Sequence, residues 1–395
     1  MKAIEIVFWA SLILVFYTYL GYGLILFFLI RIRRMLGINR KAPVDPEQWP
    51  VVSLVVACYN EEDWVAEKIR NHLSLDYPVD RIQHVVVTDG SHDRTEAIAR
   101  EFEEQHDNLK VYHSSERRGK IHAVQRAMDM IDTPIVVFTD ANTTLNNQAV
   151  KLIVRHYNDP SVGGVAGEKR IRMNQSEAAN AAGEGLYWRY ESKLKEWDSE
   201  LYSVVGAAGE LFSIRKSVYQ HVPLDTVIED FYMTLSIAAE GHRIEYEPNA
   251  FAVEGASASV SEELKRKIRI AAGGLQSISR LTRLLNPFRY GVLSFQYVSH
   301  RVLRWTLTPV ALLVLFLANA LLAWQGGIFY QLVFAAQLIF YILASIGSIL
   351  ARRELKIKAF FIPYYFFIMN YAVFAGFWRN MRGTQSVLWE KAKRS

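Results

Sequence analysis

Two acidic residues follow short apolar runs in the first half of the chain. Asp140 ends the run 134–139 and stands two residues before Asn142, and Asp89 ends the run 85–88. Such runs predict buried strands, and a carboxylate at the carboxyl end of a strand lies where open α/β sheets bind their ligands. Mg²⁺ takes only a few protein oxygens alongside substrate phosphates. Asp140 and the amide oxygen of Asn142 are therefore a candidate site for a metal-bridged diphosphate.

Several neighbouring polar groups have both a structural and a chemical interpretation. Asp89 could cap the helix that follows it, or it could belong to the ligand site. Lys120 opens a predicted helix between the two strands, where a cation and a helix N-terminus could face an anion or only solvent. The first strand, 51–57, is followed by Tyr59 and Glu61 instead of a glycine-rich loop. A P-loop and a dinucleotide fingerprint are therefore absent, and any nucleotide must be held in another way.

The second half of the chain adds two charged groups and one flexible segment. Glu229 and Asp230 begin a helical stretch, where acids either serve chemistry or simply favour the helix dipole. Arg266 and Arg269 fall on one helical face, which could clamp a phosphate or meet anionic lipid. The segment 206–210 is small and flexible, as needed where a ligand approaches the backbone closely, although a simple turn would look the same.

The elements that position these residues alternate along the middle of the chain. Strand-like and helical segments succeed one another between 42 and 286, which predicts an α/β domain with a mostly parallel sheet and helices on its faces. The single cysteine, Cys58, excludes an intramolecular disulfide and indicates a buried thiol in the first strand. The net charge of +5 comes with basic residues beside hydrophobic runs. Membrane orientation accounts for those residues better than nucleic-acid binding, for which no motif is present.

Uncharged apolar stretches at both ends predict membrane helices. The stretch 6–30 is long enough to span a bilayer, and the arginines after it place the following domain in the cytoplasm. The stretch 305–351 divides near Gly326 into two helices. A further stretch, 359–378, either crosses or re-enters at Pro363. Three crossings would leave the basic tail outside, whereas its charge favours the inside, so the side of the tail stays open.

These motifs together resemble a known family. They occur in the order seen in membrane-integrated family 2 glycosyltransferases, such as the poly-N-acetylglucosamine, chitin-oligosaccharide, hyaluronan and cellulose synthases. The segments that carry the resemblance are 51–61, 89–91, 119–120, 140–142, 206–216, 229–230 and 266–269. The resemblance implies a GT-A type nucleotide-sugar-binding domain, with a mixed, mostly parallel sheet, helices on both faces and transmembrane helices at both ends.

The resemblance also implies roles for individual residues on the donor side. Donor-nucleotide contacts are assigned to Tyr59, Glu61, Asp89, Lys120, Arg266 and Arg269. Asp140 and Asn142 would hold Mg²⁺ or Mn²⁺, and Asn142 stands where the family commonly has a second aspartate. A neutral ligand weakens the hold on the ion but leaves the diphosphate to complete its shell.

On the acceptor side, the resemblance makes Asp230 the general base, with Glu229 beside it. Acceptor contacts are assigned to Gly206, Gly209, Glu210 and Ile270. The family places a tryptophan where this chain has Ile270, which leaves open whether a polymer or a single sugar is made. The tail segment 383–394, with Trp389, would be a gating element near the active site.

These inferences define one expected enzyme and its alternatives. The expected domains are a transmembrane helix at 1–33, a cytoplasmic glycosyltransferase domain at 42–286, an interfacial amphipathic helix or linker at 287–304, transmembrane helices at 305–378 and a basic tail at 379–395. The expected activity is inverting, metal-dependent transfer from a UDP-sugar to a growing β-linked polysaccharide, with translocation, in a bacterial inner membrane. The alternatives are a transferase that adds one sugar to a lipid-linked acceptor and an inactive nucleotide-binding scaffold.

Overall fold

One eight-stranded sheet forms the centre of the molecule. The computed structural model describes residues 2–38, 40, 42–172, 182–255, 260–353 and 357–388. The strands are β1 (Val52–Cys58), β2 (Ile82–Asp89), β3 (Leu109–Ser114), β4 (Ile135–Asp140), β5 (Thr143–Leu145), β6 (Val162–Arg172), β7 (Leu211–Arg215) and β8 (Arg243–Gly255). Their order across the sheet is β3-β2-β1-β4-β7-β6-β8-β5. The predicted mixed, mostly parallel α/β sheet is confirmed.

The helices cover the sheet and extend from it at both ends of the chain. In chain order they are α1 (Lys2–Phe16), α2 (Tyr22–Met35), α3 (Val65–Leu73), α4 (Thr95–Glu103), α5 (Lys120–Met130), α6 (Ala149–Val154), α7 (Ala182–Leu201), α8 (Glu229–Ala239), α9 (Val260–Arg280), α10 (Pro287–Tyr290), α11 (Val292–Tyr297), α12 (Leu303–Trp305), α13 (Leu307–Trp324), α14 (Ile328–Arg352) and α15 (Lys358–Met381). Short 3₁₀ turns lie at Val79–Arg81, Arg155–Asn158, Lys216–Val218 and Thr282–Leu285, and π turns at Tyr17–Gly21 and Val298–Val302.

The register of the parallel strands brings the predicted acids to one edge. β1 pairs in parallel with β2 on one side and β4 on the other, so that Thr88 lies opposite Cys58 and Asp140 opposite Ala57. Strands β1, β2 and β4 are almost wholly buried, because helices cover both faces, and they therefore appear in the sequence as continuous apolar runs. Asp89 and Asp140 consequently end at the same carboxyl edge of the sheet.

Within the part of the chain that the structure describes, four helices are long and apolar enough to cross a membrane: Lys2–Met35, Leu307–Trp324, Ile328–Arg352 and Lys358–Met381. The first is the continuous helix formed by α1, the π turn and α2. Its beginning packs Phe8 against Leu315 and Leu322 of α13. Its end packs Leu26 against Leu194 of α7. The helix therefore passes from the apolar bundle onto the α/β domain within its own length.

Helix α15 lies along α9. Near its start Phe361 and Tyr365 cluster with Leu264, and near its end Gly376 closely approaches Ala271. The backbone beyond it returns to the sheet edge, where the carbonyl oxygen of Val387 would lie 3.4 Å from a Cβ at Gly119. The described part of the tail therefore lies beside the α/β domain, one of the two sides that the sequence analysis left open.

The segment 287–304 differs from the expected single amphipathic helix. It folds into α10, α11, a π turn and the start of α12, and it bends at Gly291, whose φ is +50°. Phe288 is fully exposed, whereas Leu293, Tyr297 and His300 are buried against the α/β domain. The segment is therefore a packed connection between domain and bundle as well as a surface element.

Candidate active site

The carboxyl edge of the sheet opens into one large cavity of about 1800 Å³. Most of the residues selected from the sequence line it. They are Glu61, Lys120, Asp140, Asn142, Gly206, Gly209, Glu210, Glu229, Asp230, Arg266, Arg269 and Ile270. These residues come from strand ends, helix starts and loops that are distant in the chain, so only the fold brings them together.

Lys120 is the centre of the charged groups at this edge. Its Nζ lies 2.7 Å from Asp140 Oδ1 and 2.9 Å from Glu229 Oε1. Burial opposes the charged form, but the carboxylates of Asp140 and Glu229 outweigh it and raise the pKa of Lys120. Lys120 is therefore a permanent cation, placed beside the acid that the sequence selected as a metal ligand.

Gly209 marks the point where the catalytic candidates converge. A Cβ built on this residue would lie 3.0 Å from Lys120 Nζ, 3.4 Å from Asp230 Oδ2 and 3.7 Å from Asp140 Oδ1. The loop is tied to α8, because Thr234 Oγ1 accepts a hydrogen bond from the Ala207 N–H and donates one to the Asp230 carbonyl. One lysine and two aspartates thus surround a small space next to a residue without a side chain.

We expect Gly209→Ala to lower turnover on the order of tenfold, because the new methyl group enters the space between these groups and misplaces a bound ligand. Gly209 does not have a positive φ, so its backbone accepts alanine. The measurement is turnover beside UDP affinity, with the exposed Ser217→Ala as control. Full turnover in Gly209→Ala would show that no reacting group uses this space.

The fold shifts the pKa of Asp230 toward neutral pH. Burial and the neighbouring Glu229 raise its pKa to about 7, although Lys120 acts in the opposite direction. A carboxylate with a pKa near the working pH is well matched to accept a proton from a hydroxyl group. Asp230 therefore has the electrostatics of a general base.

Asp140 and Asn142 both line the cavity, but they do not form a complete cage for a cation. Asn142 Nδ2 donates a hydrogen bond to Glu254 Oε1 at 3.3 Å. Among the described residues, no group of three or more His, Cys, Asp or Glu could enclose a metal ion. A carboxylate and an amide that face a large cavity fit an ion held jointly with ligand oxygens. Glu254, an acid that the sequence analysis did not select, thus contacts Asn142 and also forms an ion pair with Lys169.

The predicted cation pair lies on α9, on the wall of the cavity. Arg266 contacts Glu263 at 3.1 Å and Glu210 at 3.5 Å, while Arg269 donates to the Val227 carbonyl at 3.2 Å. Burial opposes ionisation of Glu210, but Lys169 and Arg266 outweigh it and lower its pKa. Glu210 is therefore engaged in an ionic network, and its assignment to the acceptor stays a prediction.

Tyr59 and Asp89 do not line the cavity, unlike the other candidates. Asp89 is buried, and its Oδ2 accepts hydrogen bonds from the N–H groups of Arg118 (3.1 Å) and Gly119 (2.6 Å). The Arg117 guanidinium lies 3.8 Å from the centre of the Tyr59 ring. Asp89 thus holds the start of α5 and does not cap α4, the helix that follows it in the chain, where the Thr95 N–H instead donates to Asp93. The uridine contacts of both residues stay predictions.

The cavity also contains two tryptophans that the sequence analysis missed, Trp188 of α7 and Trp305 of α12, and part of the tail. From the tail, Thr384, Gln385, Ser386 and Leu388 line it. Trp305 packs edge-on against Phe231 at 5.2 Å, close to the first turn of α8. No local pattern marks either tryptophan, since both are distant in sequence from the acids. The tail was expected near the site, although Trp389 lies outside the described residues.

Comparison with known proteins supports this resemblance. Residues 53–222, less than half of the chain, match the family model described as glycosyl transferase family 2. This segment is therefore similar to family 2 glycosyltransferases. A poly-beta-1,6-N-acetyl-D-glucosamine synthase of Staphylococcus aureus (strain MSSA476) is 26% identical over 248 residues, 62% of this chain and 59% of the relative. Its Staphylococcus epidermidis counterpart is 27% identical over 248 residues, 61% of this chain and 59% of the relative. The match thus spans less than two thirds of these relatives.

A solved structure extends the likeness of the glycosyltransferase domain to nearly the whole fold. A mannosyltransferase from Pyrobaculum calidifontis, solved in complex with GDP-Man and Mn²⁺, superposes with a TM-score of 0.72. The superposition covers 96% of this chain and 99% of that one, at 23% sequence identity. The GT-A type fold implied by the resemblance, with apolar helices at both ends, is therefore confirmed.

Proposed function

We propose that this protein is an inverting glycosyltransferase that moves a sugar from a nucleoside diphosphate sugar to an acceptor hydroxyl at a membrane. The observation that carries the proposal is the convergence of Lys120, Asp140 and Asp230 around Gly209. The similarity to family 2 glycosyltransferases supports sugar transfer, and this convergence supports the assignment of the reacting groups. A cation for the diphosphate and a base for the acceptor both border one small space.

In this mechanism Asp230 accepts the proton of the acceptor hydroxyl as that oxygen attacks the anomeric carbon. The bond between the anomeric carbon and the diphosphate oxygen breaks, and the nucleoside diphosphate leaves with the bonding electrons. Lys120 and the α9 arginines stabilise the negative charge on the leaving group. Attack opposite the departing diphosphate inverts the anomeric carbon.

Asp140 and Asn142 would hold a divalent cation together with oxygens of the diphosphate. Such an ion would supply further stabilisation of the charge on the leaving group. The mannosyltransferase from Pyrobaculum calidifontis was solved with Mn²⁺, which supports a divalent ion here. We propose Mg²⁺ or Mn²⁺, bound weakly by the protein alone because only one of its two proposed ligands carries charge.

The donor is proposed to be a UDP-sugar, and a donor screen tests this directly. Purified protein in lipid nanodiscs is incubated with UDP-glucose, UDP-N-acetylglucosamine, UDP-glucuronate or GDP-mannose, and nucleotide release is measured. We expect one UDP-sugar to be turned over on the order of tenfold faster than the others, since donor pockets discriminate by a few contacts. Preference for GDP-mannose would replace the UDP assignment. Release from no donor would favour the inactive scaffold.

For the acceptor, we propose a growing β-linked polysaccharide, because the staphylococcal relatives are named as synthases of such a polymer. A lipid-linked acceptor is the second candidate, favoured by the reach of the cavity toward side chains exposed on the apolar helices. Sizing the product from labelled donor distinguishes a polymer from a single added sugar.

We also propose that the glycosyltransferase domain faces the cytoplasm of a bacterial inner membrane. Arg31, Arg33 and Arg34 follow the first apolar stretch, as expected for a cytoplasmic flank. Labelling of a cysteine placed at the exposed Asp132, in intact cells and in inverted vesicles, tests the orientation. Labelling in intact cells by an impermeant reagent would reverse it.

A further inference from the structure

A buried lysine lies outside the active-site cavity and has no part in the mechanism proposed above. Lys68 of α3 is 2% exposed and does not line the cavity. Its ammonium group donates three hydrogen bonds, to Thr139 Oγ1 at 2.8 Å, to the Thr143 carbonyl oxygen at 2.8 Å and to Thr143 Oγ1 at 3.0 Å. These neutral acceptors stand on either side of the turn between β4 and β5, which carries Asp140 and Asn142.

This burial costs stability, because the ammonium group of Lys68 gives up its hydration and receives only neutral oxygens at its three hydrogen bonds. Burial lowers the pKa of Lys68, and the carboxylate of Asp140 acts in the opposite direction. An apolar side chain of similar length would fill the same space without this penalty. Natural proteins keep such unfavourable groups mainly at functional sites. A lysine at this position therefore indicates a role that an apolar side chain cannot perform.

The chemistry of the ammonium group decides the direction of the hydrogen bonds around it. An ammonium group only donates, so the two threonine hydroxyls that accept from it keep their own protons to donate. Thr139 Oγ1 donates to the Glu210 carbonyl oxygen at 2.9 Å, and Thr143 Oγ1 donates to the Asp140 carbonyl oxygen at 2.8 Å. Both carbonyl groups belong to residues that line the cavity. Lys68 is thus connected to the backbone of two cavity-lining residues, through one threonine each.

Helix α3 also holds the turn and the strand after it through other contacts. Ala141, which stands between the two proposed metal ligands, is buried in one cluster with Val65 and Ile69 of α3. Asn71 of α3 exchanges two hydrogen bonds with the backbone of Leu145 in β5, at 2.8 and 3.0 Å. The turn is therefore packed on α3 by its apolar residue, in addition to the hydrogen bonds of the buried lysine.

We propose that Lys68 is a positioning residue for the proposed ion site. Its hydrogen bonds to the two threonines fix the turn that presents Asp140 and Asn142 to the cavity. The inference rests on the proposed transferase function and specifies how its ion site is held. Groups that orient metal ligands contribute strongly to metal affinity. Because only one of the two proposed ligands carries charge, this site depends especially on the orientation of its oxygens.

The test replaces Lys68 by methionine, which keeps the length of the side chain but cannot donate. Binding of the selected donor's diphosphate, UDP or GDP, to protein in nanodiscs is measured by calorimetry over a range of Mn²⁺ concentrations. We expect the Mn²⁺ concentration that gives half of the full effect on nucleotide affinity to rise about tenfold to a hundredfold. Lys110→Met is the matched control, because Lys110 is exposed on β3 and does not line the cavity. Equal Mn²⁺ dependence in Lys68→Met and the wild type would overturn the inference.

Variants of Thr143 separate positioning from a general loss of stability. Thr143→Val removes the hydroxyl that links Lys68 to the Asp140 carbonyl, whereas Thr143→Ser keeps it. We expect Thr143→Val to raise the half-effective Mn²⁺ concentration on the order of tenfold, and Thr143→Ser to stay close to the wild type. Both variants keep the lysine, so they test the inference even where Lys68→Met does not fold. The same Mn²⁺ dependence in the valine and serine variants would overturn the link through Thr143.

The double variant Lys68→Met/Thr143→Val tests whether the two residues act together. Groups in one hydrogen-bond network have non-additive effects, so we expect the double variant to need about as much Mn²⁺ as the more affected single variant. Effects that multiply would show that the two residues act independently, against the inference.

The wild-type protein distinguishes failure of the inference from failure of the proposed function. Failure of the wild type to bind UDP or GDP would contradict the proposed function. Nucleotide binding that does not respond to Mn²⁺ would contradict the ion site and the inference together. Binding that responds to Mn²⁺ alike in the wild type, Lys68→Met and Thr143→Val would contradict the inference alone.

Discussion

Replacement of Asp230 by asparagine is expected to lower the rate of sugar transfer by about 10² to 10⁴, the usual contribution of a positioned acid or base. Asparagine keeps the size of the side chain but cannot accept the proton of the acceptor hydroxyl. The cations that would hold the nucleotide remain in place, so UDP affinity should stay close to that of the wild type. The measurement is labelled sugar transfer beside calorimetric UDP binding.

The control for this variant is Asp225→Asn, which removes an acid from the loop just before α8. Asp225 is exposed, pairs with Arg280 at 2.5 Å and does not line the cavity. We expect it to transfer sugar at the wild-type rate. Transfer at the wild-type rate by Asp230→Asn would remove Asp230 from the role of base.

The pH dependence of the wild-type enzyme gives an independent check on Asp230. Burial and Glu229 raise its pKa to about 7, and only the deprotonated carboxylate can accept a proton. The transfer rate should therefore fall as the pH decreases through about 7, well above the range in which an ordinary aspartate titrates. A rate that stays constant down to about pH 5 would contradict the assignment.

The second large effect is expected from Asp140→Asn. Asp140 is the charged member of the proposed metal pair, so its loss should weaken the hold on the ion and lower transfer on the order of 10²-fold. It also removes the carboxylate that faces Lys120 at 2.7 Å. The measurement is transfer rate against Mn²⁺ concentration. We expect the half-saturating Mn²⁺ concentration to rise at least about tenfold in the variant, because a charged ligand is replaced by a neutral one.

Asp132→Asn is the matched control for this second variant, because Asp132 is fully exposed and pairs with Lys216 at 3.3 Å, away from the cavity. Its Mn²⁺ dependence should equal that of the wild type. Metal-free activity of Asp140→Asn equal to that of the metal-saturated wild type would show that Asp140 does not hold an ion required for transfer.

Much of the fold followed from local patterns. The central strands are apolar over nearly their whole length because both faces are buried. As predicted, β2 ends at Asp89, β4 ends at Asp140 and α5 begins at Lys120. The apolar helices at both ends were equally visible, since a run of about twenty uncharged residues matches the thickness of a bilayer core. In place of the expected single helix at 287–304, two helices, α10 and α11, are separated at Gly291, where a positive φ changes the direction of the chain.

The sequence by itself determined which residue types were available for chemistry: Asp140 after its strand, Lys120 at a helix start, Asp230 at another, and the arginines of α9. Their order along the chain was enough to indicate a family 2 glycosyltransferase. These features are local, because a few neighbouring residues determine where a strand ends, where a helix starts and which residues share a helical face.

Only the tertiary structure decided which of those residues meet and what else joins them. Asp89 is buried and accepts a hydrogen bond from the Gly119 N–H at the start of α5. Lys120 of α5 forms an ion pair with Asp140 of β4. Trp188 and Trp305 line the cavity from segments without any motif. Such contacts depend on how helices and strands that are distant in sequence pack against one another, and the spacing of residues within one element does not predict that packing.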